Sequence, residues 1–156
     1  MTIRWECKPF DALSLTELYT ALALRQRVFV VEQACPYLDS DGADLTAHHL
    51  LGFVDDALIA SARLLGPGTK YPNPSIGRVV TAPETRGQGH GKALMAKAVE
   101  EIERLYPGHP ITIGAQAYLE EFYRGFGFHR DGGDYLEDGI PHLEMTRPSP
   151  ARLANR

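Results

Sequence analysis

Cysteine is scarce: only Cys7 and Cys35 occur in 156 residues, and they form no C-x-x-C pair. That argues against a disulfide framework and a cysteine-based zinc site. Long apolar runs are missing too. No stretch approaches the roughly 18 residues a membrane helix needs, and Met1 to Glu6 lacks the apolar segment of a signal peptide. The expectation is a cytoplasmic protein with no membrane contact and no metal. Positive charge is also in short supply: 16 Lys and Arg face 20 Asp and Glu, giving a net charge of -4 at pH 7. This disfavours a nucleic-acid surface and mildly favours a cationic substrate. No internal repeat is visible. What is present, 44% hydrophobic and 23% charged residues, is the composition of a globular chain with a substantial core. One domain over 1–147 is expected, followed by a fraying tail over 148–156 that carries two prolines and no periodicity.

Alternation at Ile3, Trp5 and Cys7 predicts a first strand that Pro9 ends. Ser14 and Glu17 form a capping box, so a helix should begin near Leu15. Leu15, Leu18, Tyr19, Leu22, Gln26 and Phe29 share one face at helical spacing, and the helix is expected to continue, weakened by β-branched residues, to Val31. Glu32 to Asp44 is an acidic loop. Asp39, Asp41 and Asp44 miss the EF-hand pattern, because Ala43, Asp44 and Leu50 occupy its fifth, sixth and twelfth positions. Two readings remain for it: a solvated turn, or a carboxylate rim for an ammonium substrate. Ala47–Val54 and Ala57–Leu65 read as a hairpin turning at Asp55-Asp56. His48 and His49, being neighbours in a strand, must point to opposite faces.

Ser75–Thr81 enters a strand–turn–helix junction. Ala82-Pro83 ends the strand, Gly87, Gly89 and Gly91 alternate, and a helix burying Leu94, Met95, Ala98, Val99, Ile102 and Leu105 follows. Glycines before a helix N-terminus suit an anion, most often a phosphate. The dinucleotide pattern fails because Lys92 stands where its third glycine should be. The P-loop pattern fails because Gly87 to Gly91 is one residue short and Ala93 replaces the magnesium-binding hydroxyl. Ile111–Ala115 then predicts a central strand parallel to the one before the loop. Tyr118–Phe126 is a short helix ended by Gly127, and His142–Thr146 is the return strand of a final hairpin.

The string Arg86-x-x-Gly89-x-Gly91 resembles the R/Q-x-x-G-x-G/A pyrophosphate loop of the GNAT superfamily of acyl-CoA N-acyltransferases. Downstream, Gln116-x-x-Leu119-x-x-Phe122-Tyr123 with Gly127-Phe128 resembles the second GNAT signature, N-x-x-A-x-x-F-Y-x-x-x-G-F, in the expected order. Arg25-x-x-Val28-Phe29-x-x-Glu32-Gln33, Cys35-Pro36-Tyr37 and Asp138-Gly139-Ile140-Pro141-His142 are similar to the ElaA-like branch. The resemblance covers nearly the whole chain. It implies an α/β (α+β) GNAT fold: a mixed, mostly antiparallel sheet flanked by helices, with CoA at a splay between two parallel central strands.

It further implies acetyl transfer from acetyl-CoA to an amine by direct attack. Val79, Val80 and Thr81 would lie along the pantetheine arm. Arg86 opens the loop, and Gly87, Gln88, Gly89, His90, Gly91 and Lys92 would cradle the pyrophosphate. Gln116 stands where many relatives have Asn, and Leu119 where they have Ala. Tyr123 is the expected acid that protonates the departing sulfur. The amine must lose a proton before it attacks, and Glu32, Glu84, His48, His49 and His142 are the candidate bases. Glu32 and His142 are placed at the acceptor pocket, and no base is assigned. A CoA-binding module without catalysis is the alternative. So is a relative of acyl-homoserine lactone synthases, which the Arg25-Val28-Phe29 segment resembles. Exposed edge strands make a homodimer reasonable.

Overall fold

The first helix starts where its local chemistry says it should. In the computed structural model, which describes residues 2–149, Ser14 Oγ accepts from the Glu17 N–H at 3.0 Å, and Glu17 Oε1 accepts from the Ser14 N–H at 2.8 Å. Two of the donors that every helix start leaves unpaired are thereby satisfied. The element order is β1 (Arg4–Pro9), α1 (Leu15–Arg25), β2 (His48–Val54), β3 (Ala57–Leu65) and β4 (Ser75–Thr81). Then come α2 (His90–Leu105), β5 (Ile111–Gln116), α3 (Glu120–Arg124), β6 (His129–Glu137) and β7 (Ile140–Arg147).

The strands form two antiparallel sheets, ordered β1-β2-β3-β4 and β5-β7-β6. Leu50 and Leu51 are adjacent in β2 and must point to opposite faces. Leu51 packs with Phe53 and with Ala21 of α1, while Leu50 joins the large core that contains Leu94, Met95, Ala98, Val99 and Ile102 of α2. Helices therefore flank the first sheet on both sides. The crossover through α2 brings β5 alongside β4. The Thr112 N–H donates to the Pro74 carbonyl at 3.0 Å, at the start of both strands. Among the described residues no ladder joins them beyond that point, so the parallel pair, expected to splay, parts here and the strands fall into two antiparallel sheets.

Three expectations change. Leu15 and Tyr19 do not face the core, being 87% and 79% exposed. The buried stripe of α1 is Ala21, Leu24 and Arg25, continued by Val28. Because α1 is apolar on more than one face, periodicity could not choose between them; the ion pairs of Arg25 described below coincide with the buried one. The helix does continue past Arg25, but as a π-helical turn over Gln26–Glu32, with bonds from Gln33 N–H to Val28 C=O and from Cys35 N–H to Val30 C=O. A five-residue bond spacing widens the helix where Val28, Val30 and Val31 crowd it. Finally, the segment expected as one helix over Tyr118–Phe126 splits into a 3₁₀ turn, Ala117–Leu119, and α3. Residues 150–156 of the expected tail lie outside the described residues. No helix among the described residues is long and apolar enough to cross a membrane.

Candidate active site

β4 is strained before it reaches the glycine loop. Ser61 pairs with Val80 and Arg63 with Gly77, so β4 carries one residue more than β3 between these rungs. Arg78 sits in that bulge at φ +49°, a conformation that costs a non-glycine residue of order 1–3 kcal/mol. Opposing groups hold it: Arg78 Nε lies 2.8 Å from Asp39 Oδ1, Nη2 donates to the Asp39 carbonyl at 3.1 Å, and the guanidinium lies over the Tyr37 ring. A bulge removes ladder partners from the strand and turns its backbone toward whatever lies alongside.

What lies alongside is a cleft of about 430 Å³ between β4 and β5. Val79, Val80 and Thr81 line one wall and Gln116 the other, with Tyr123, Arg86, Glu32 and His142 also facing it. Eight of the residues singled out in the sequence are thus brought together. Gly87 to Lys92 follow Arg86 outside the lining. There Gly87 and Gly89 take φ of +82° and +79°, and Gly89 caps α2 without a side-chain bond. The first helical bond runs from Ala93 N–H to Gly89 C=O at 3.1 Å. The N–H groups of His90, Gly91 and Lys92 have no earlier turn of helix to accept them. Among the described residues no three His, Cys, Asp or Glu side chains are grouped to hold a metal ion.

Tyr123 is held in α3 by edge-on contacts with Phe122 and Phe128, at centroid distances of 5.2 and 6.2 Å. Its ring is buried, and burial, with a smaller push from Tyr118, raises its phenol to about 12. Leu119, in place of the usual alanine, adds bulk to the same cleft wall.

The candidate bases separate cleanly. Glu84 is exposed and ion-paired with Arg27 at 2.8 Å. His49 is buried, its pKa lowered first by that burial, and its Nε2 bonds the Asp44 carbonyl at 2.9 Å. Neither these two residues nor His48 lines the cleft. Glu32 does line it, but its carboxylate is ion-paired with Arg86. His142 lines the cleft with Nδ1 2.7 Å from the Ile140 carbonyl and Nε2 3.4 Å from Glu137 Oε2.

The acidic loop is only partly solvated: Glu32 and Asp41 are exposed, but two of its aspartates are not. Asp39 and Asp44 are buried, and their charges are met by arginines rather than by solvent or substrate. Arg25 Nε lies 2.8 Å from Asp39 Oδ2, and its Nη1 and Nη2 reach both Asp44 oxygens at 2.8 and 3.1 Å. Arg63 grips Asp41 with two bonds of 2.8 and 3.0 Å and also touches Asp44 at 3.3 Å. Three arginines thus neutralise three aspartates on the wall beside the cleft. A signal existed: Arg63 and Arg78 are single charges inside otherwise apolar strands, which demands buried partners.

Residues 40–148 match the family model described as the acetyltransferase (GNAT) domain. Protein ElaA of Escherichia coli K12 is 44% identical over 147 residues, covering 93% of this chain and 96% of its own. The ElaA crystal structure superposes with a TM-score of 0.88 at 43% identity, over 94% of this chain and 99% of that one. An acyl-CoA N-acyltransferase from Pseudomonas aeruginosa gives 0.89 at 45% identity, with the same coverage. At 16% identity, and so in fold alone, the chain is like a Thermoplasma acidophilum PaiA N-acetyltransferase solved with coenzyme A, at a TM-score of 0.66. It is like an acyl-homoserine lactone synthase solved with isopentyl-CoA at 0.79, also at 16% identity. The fold and its divided sheet define a GNAT-type acyltransferase, and the chain belongs to the ElaA-like branch of that superfamily.

Proposed function

We propose that this protein transfers an acetyl group from acetyl-CoA to a primary amine by direct attack, with Tyr123 as the acid. One observation carries the reading. β4 and β5 begin side by side, then part around a cleft whose two walls carry Val79 to Thr81 and Gln116, with Tyr123 facing in. A parted strand leaves backbone donors and acceptors free along its edge, which suits the amide-rich pantetheine arm. The α2 N-terminus, with free N–H groups and a favourable dipole, suits the pyrophosphate. Arg86 stands at the cleft edge, ion-paired with Glu32. The chemistry supplied by the cosubstrate is that of an activated thioester.

Tyr123 then faces a departing thiolate. A free thiol titrates near 8.5, so complete transfer from a phenol at about 12 costs about 5 kcal/mol. The same burial that raises the phenol also raises a thiolate beside it, which narrows the gap. Tyr123 therefore acts as a hydrogen-bond donor to the sulfur while the C–S bond breaks, and passes its proton as charge builds there. Two measurements test the reading. Acetyl-CoA should raise the melting temperature, by an amount equivalent to about 2.7 kcal/mol at 100 times its Kd. Primary amines, screened from polyamines to peptide N-termini, should elicit free-thiol release. No stabilisation, or no release with any amine, would remove the proposal.

A further inference from the structure

The base that direct attack requires has been left open, and the final hairpin supplies it. Its turn is Asp138-Gly139, both at positive φ (+51° and +77°), which closes a two-residue connection with Glu137 opposite Ile140. The same register sets Tyr135 opposite His142. Glu137 and His142 are therefore diagonal neighbours on one face of this hairpin. The Tyr135 ring stacks on the imidazole at 5.7 Å with an interplanar angle of 30°. Tyr135 in turn hydrogen-bonds Tyr71, and both hydroxyls close over Gly114 of β5, where a Cβ would meet them at 2.5 and 2.9 Å.

The imidazole is thus held in orientation, and its tautomer is set as well. Nδ1 lies 2.7 Å from the Ile140 carbonyl, and a carbonyl can only accept. The proton therefore sits on Nδ1. Nε2 of the neutral ring is left as a bare acceptor, 3.4 Å from a carboxylate oxygen that is also only an acceptor. In that form the two acceptors leave a place for a cation with N–H groups beside them, whereas a protonated ring pairs with Glu137 directly. Lys70 does not fill that role: it meets the other carboxylate oxygen of Glu137, at 3.7 Å.

We propose that His142 is the general base of the transfer, and that Glu137 positions the substrate ammonium and stabilises the imidazolium. The proposal rests on the acetyl-transfer reading above. An ammonium entering the cleft donates to Nε2 and to Glu137 together. Its N–H bond breaks, the proton joins the Nε2 lone pair, and the freed nitrogen pair forms the C–N bond to the acetyl carbon. The C–S pair leaves on sulfur, which takes the Tyr123 proton. The second amine proton, lost as the amide forms, restores the phenol. The imidazolium discharges to solvent, so one proton is released per turnover. Glu144, on the same face of β7, and Asp138 in the turn are the other carboxylates near this hairpin face, with the neutral phenol of Tyr135 on the ring itself.

His142→Asn makes the decisive variant. Its amide can still donate to the Ile140 carbonyl, so a merely structural role survives, but it has no base. The expected result, with whichever screened amine elicits thiol release, is a kcat lower by about 10²–10⁴-fold and loss of the acidic limb of the kcat/KM profile. Thermal stabilisation by acetyl-CoA should be unchanged. Glu137→Gln should raise KM for the amine, because the substrate ammonium loses its anionic partner, while stabilisation by acetyl-CoA is unchanged. Independently of turnover, the ¹⁵N spectrum of the ligand-free protein should show His142 as the Nδ1–H tautomer. Wild-type kcat in His142→Asn, or an Nε2–H tautomer, overturns the assignment and leaves acetyl transfer standing. Absence of thiol release from the wild-type protein with every amine removes both.

Discussion

Replacing Arg25 with Met asks how much of this fold depends on one buried charge. The guanidinium makes three bonds to carboxylate oxygens of Asp39 and Asp44 at 2.8 to 3.1 Å, and a fourth to the Asp39 carbonyl at 3.3 Å. Its side chain is 3% exposed, and those of its partners 4% and 9%. Water cannot replace it. Met fills a similar volume, so the loss is electrostatic. Arg78 still meets Asp39 and Arg63 still meets Asp44, but three aspartates then share two arginines. Breaking a buried pair from one side costs about 3–5 kcal/mol, against a total stability of about 5–15. With a urea slope of about 2 kcal/mol per M, the unfolding midpoint should fall by about 1.5–2.5 M at pH 7.

A pH series sharpens the test. Burial alone would raise the Asp41 and Asp44 carboxyls, but bonds from Arg63 and Arg25 outweigh it and hold both low, Asp41 at about 2. A group whose folded pKa is depressed adds stability that is complete above its unfolded value, near 4, and is lost as pH falls toward the folded one. Wild-type stability should hold to about pH 4 and decline toward pH 2, and Arg25→Met should flatten that decline. Adding Asp44→Asn should recover part of the loss. A midpoint shift below about 0.5 M, or purely additive single variants, would mean that the cluster behaves like a screened surface network.

Three other outcomes follow. Tyr123→Phe should lower kcat for amine-dependent thiol release by about a hundredfold while leaving acetyl-CoA thermal stabilisation intact, and equal losses in both would make the phenol structural. Gly114→Ala pushes a methyl group into the Tyr71 and Tyr135 hydroxyls. It should cost about 1 kcal/mol in a thermal melt, limited because Tyr135 can swing toward solvent, and it should unstack His142. Ser14→Ala removes one half of the capping box and should cost about 1 kcal/mol in urea unfolding, with no change in acetyl-CoA binding.

The elements set by neighbouring residues were legible in the chain. Ser14 with Glu17 placed the start of α1, the apolar stripe of α2 ran as expected, and Gly127 closes its turn at φ +89°. Each depends on contacts a few residues apart, so sequence spacing and spatial spacing coincide. The glycine loop could be found for the same reason. The role expected of Tyr123 and the cleft it faces could only be inferred through resemblance, because the cleft forms where two strands fail to pair.

What the amino-acid order could not settle was every choice made across the fold. Periodicity pointed to the face of Leu15 and Tyr19, and packing against β3 and β4 instead buried the one that carries Arg25. The acidic loop offered three carboxylates with no partner within reach along the chain; Arg25, Arg63 and Arg78 come from one helix and two strands. His142 was one of five candidate bases, and its neighbours Glu137 and Tyr135 come from β6. Local strings determined where helices begin and where the turns fall, since backbone geometry is a nearest-neighbour matter. Which charge meets which, and what lies beside each imidazole nitrogen, depended on segments far apart in the chain, and only the tertiary structure decided it.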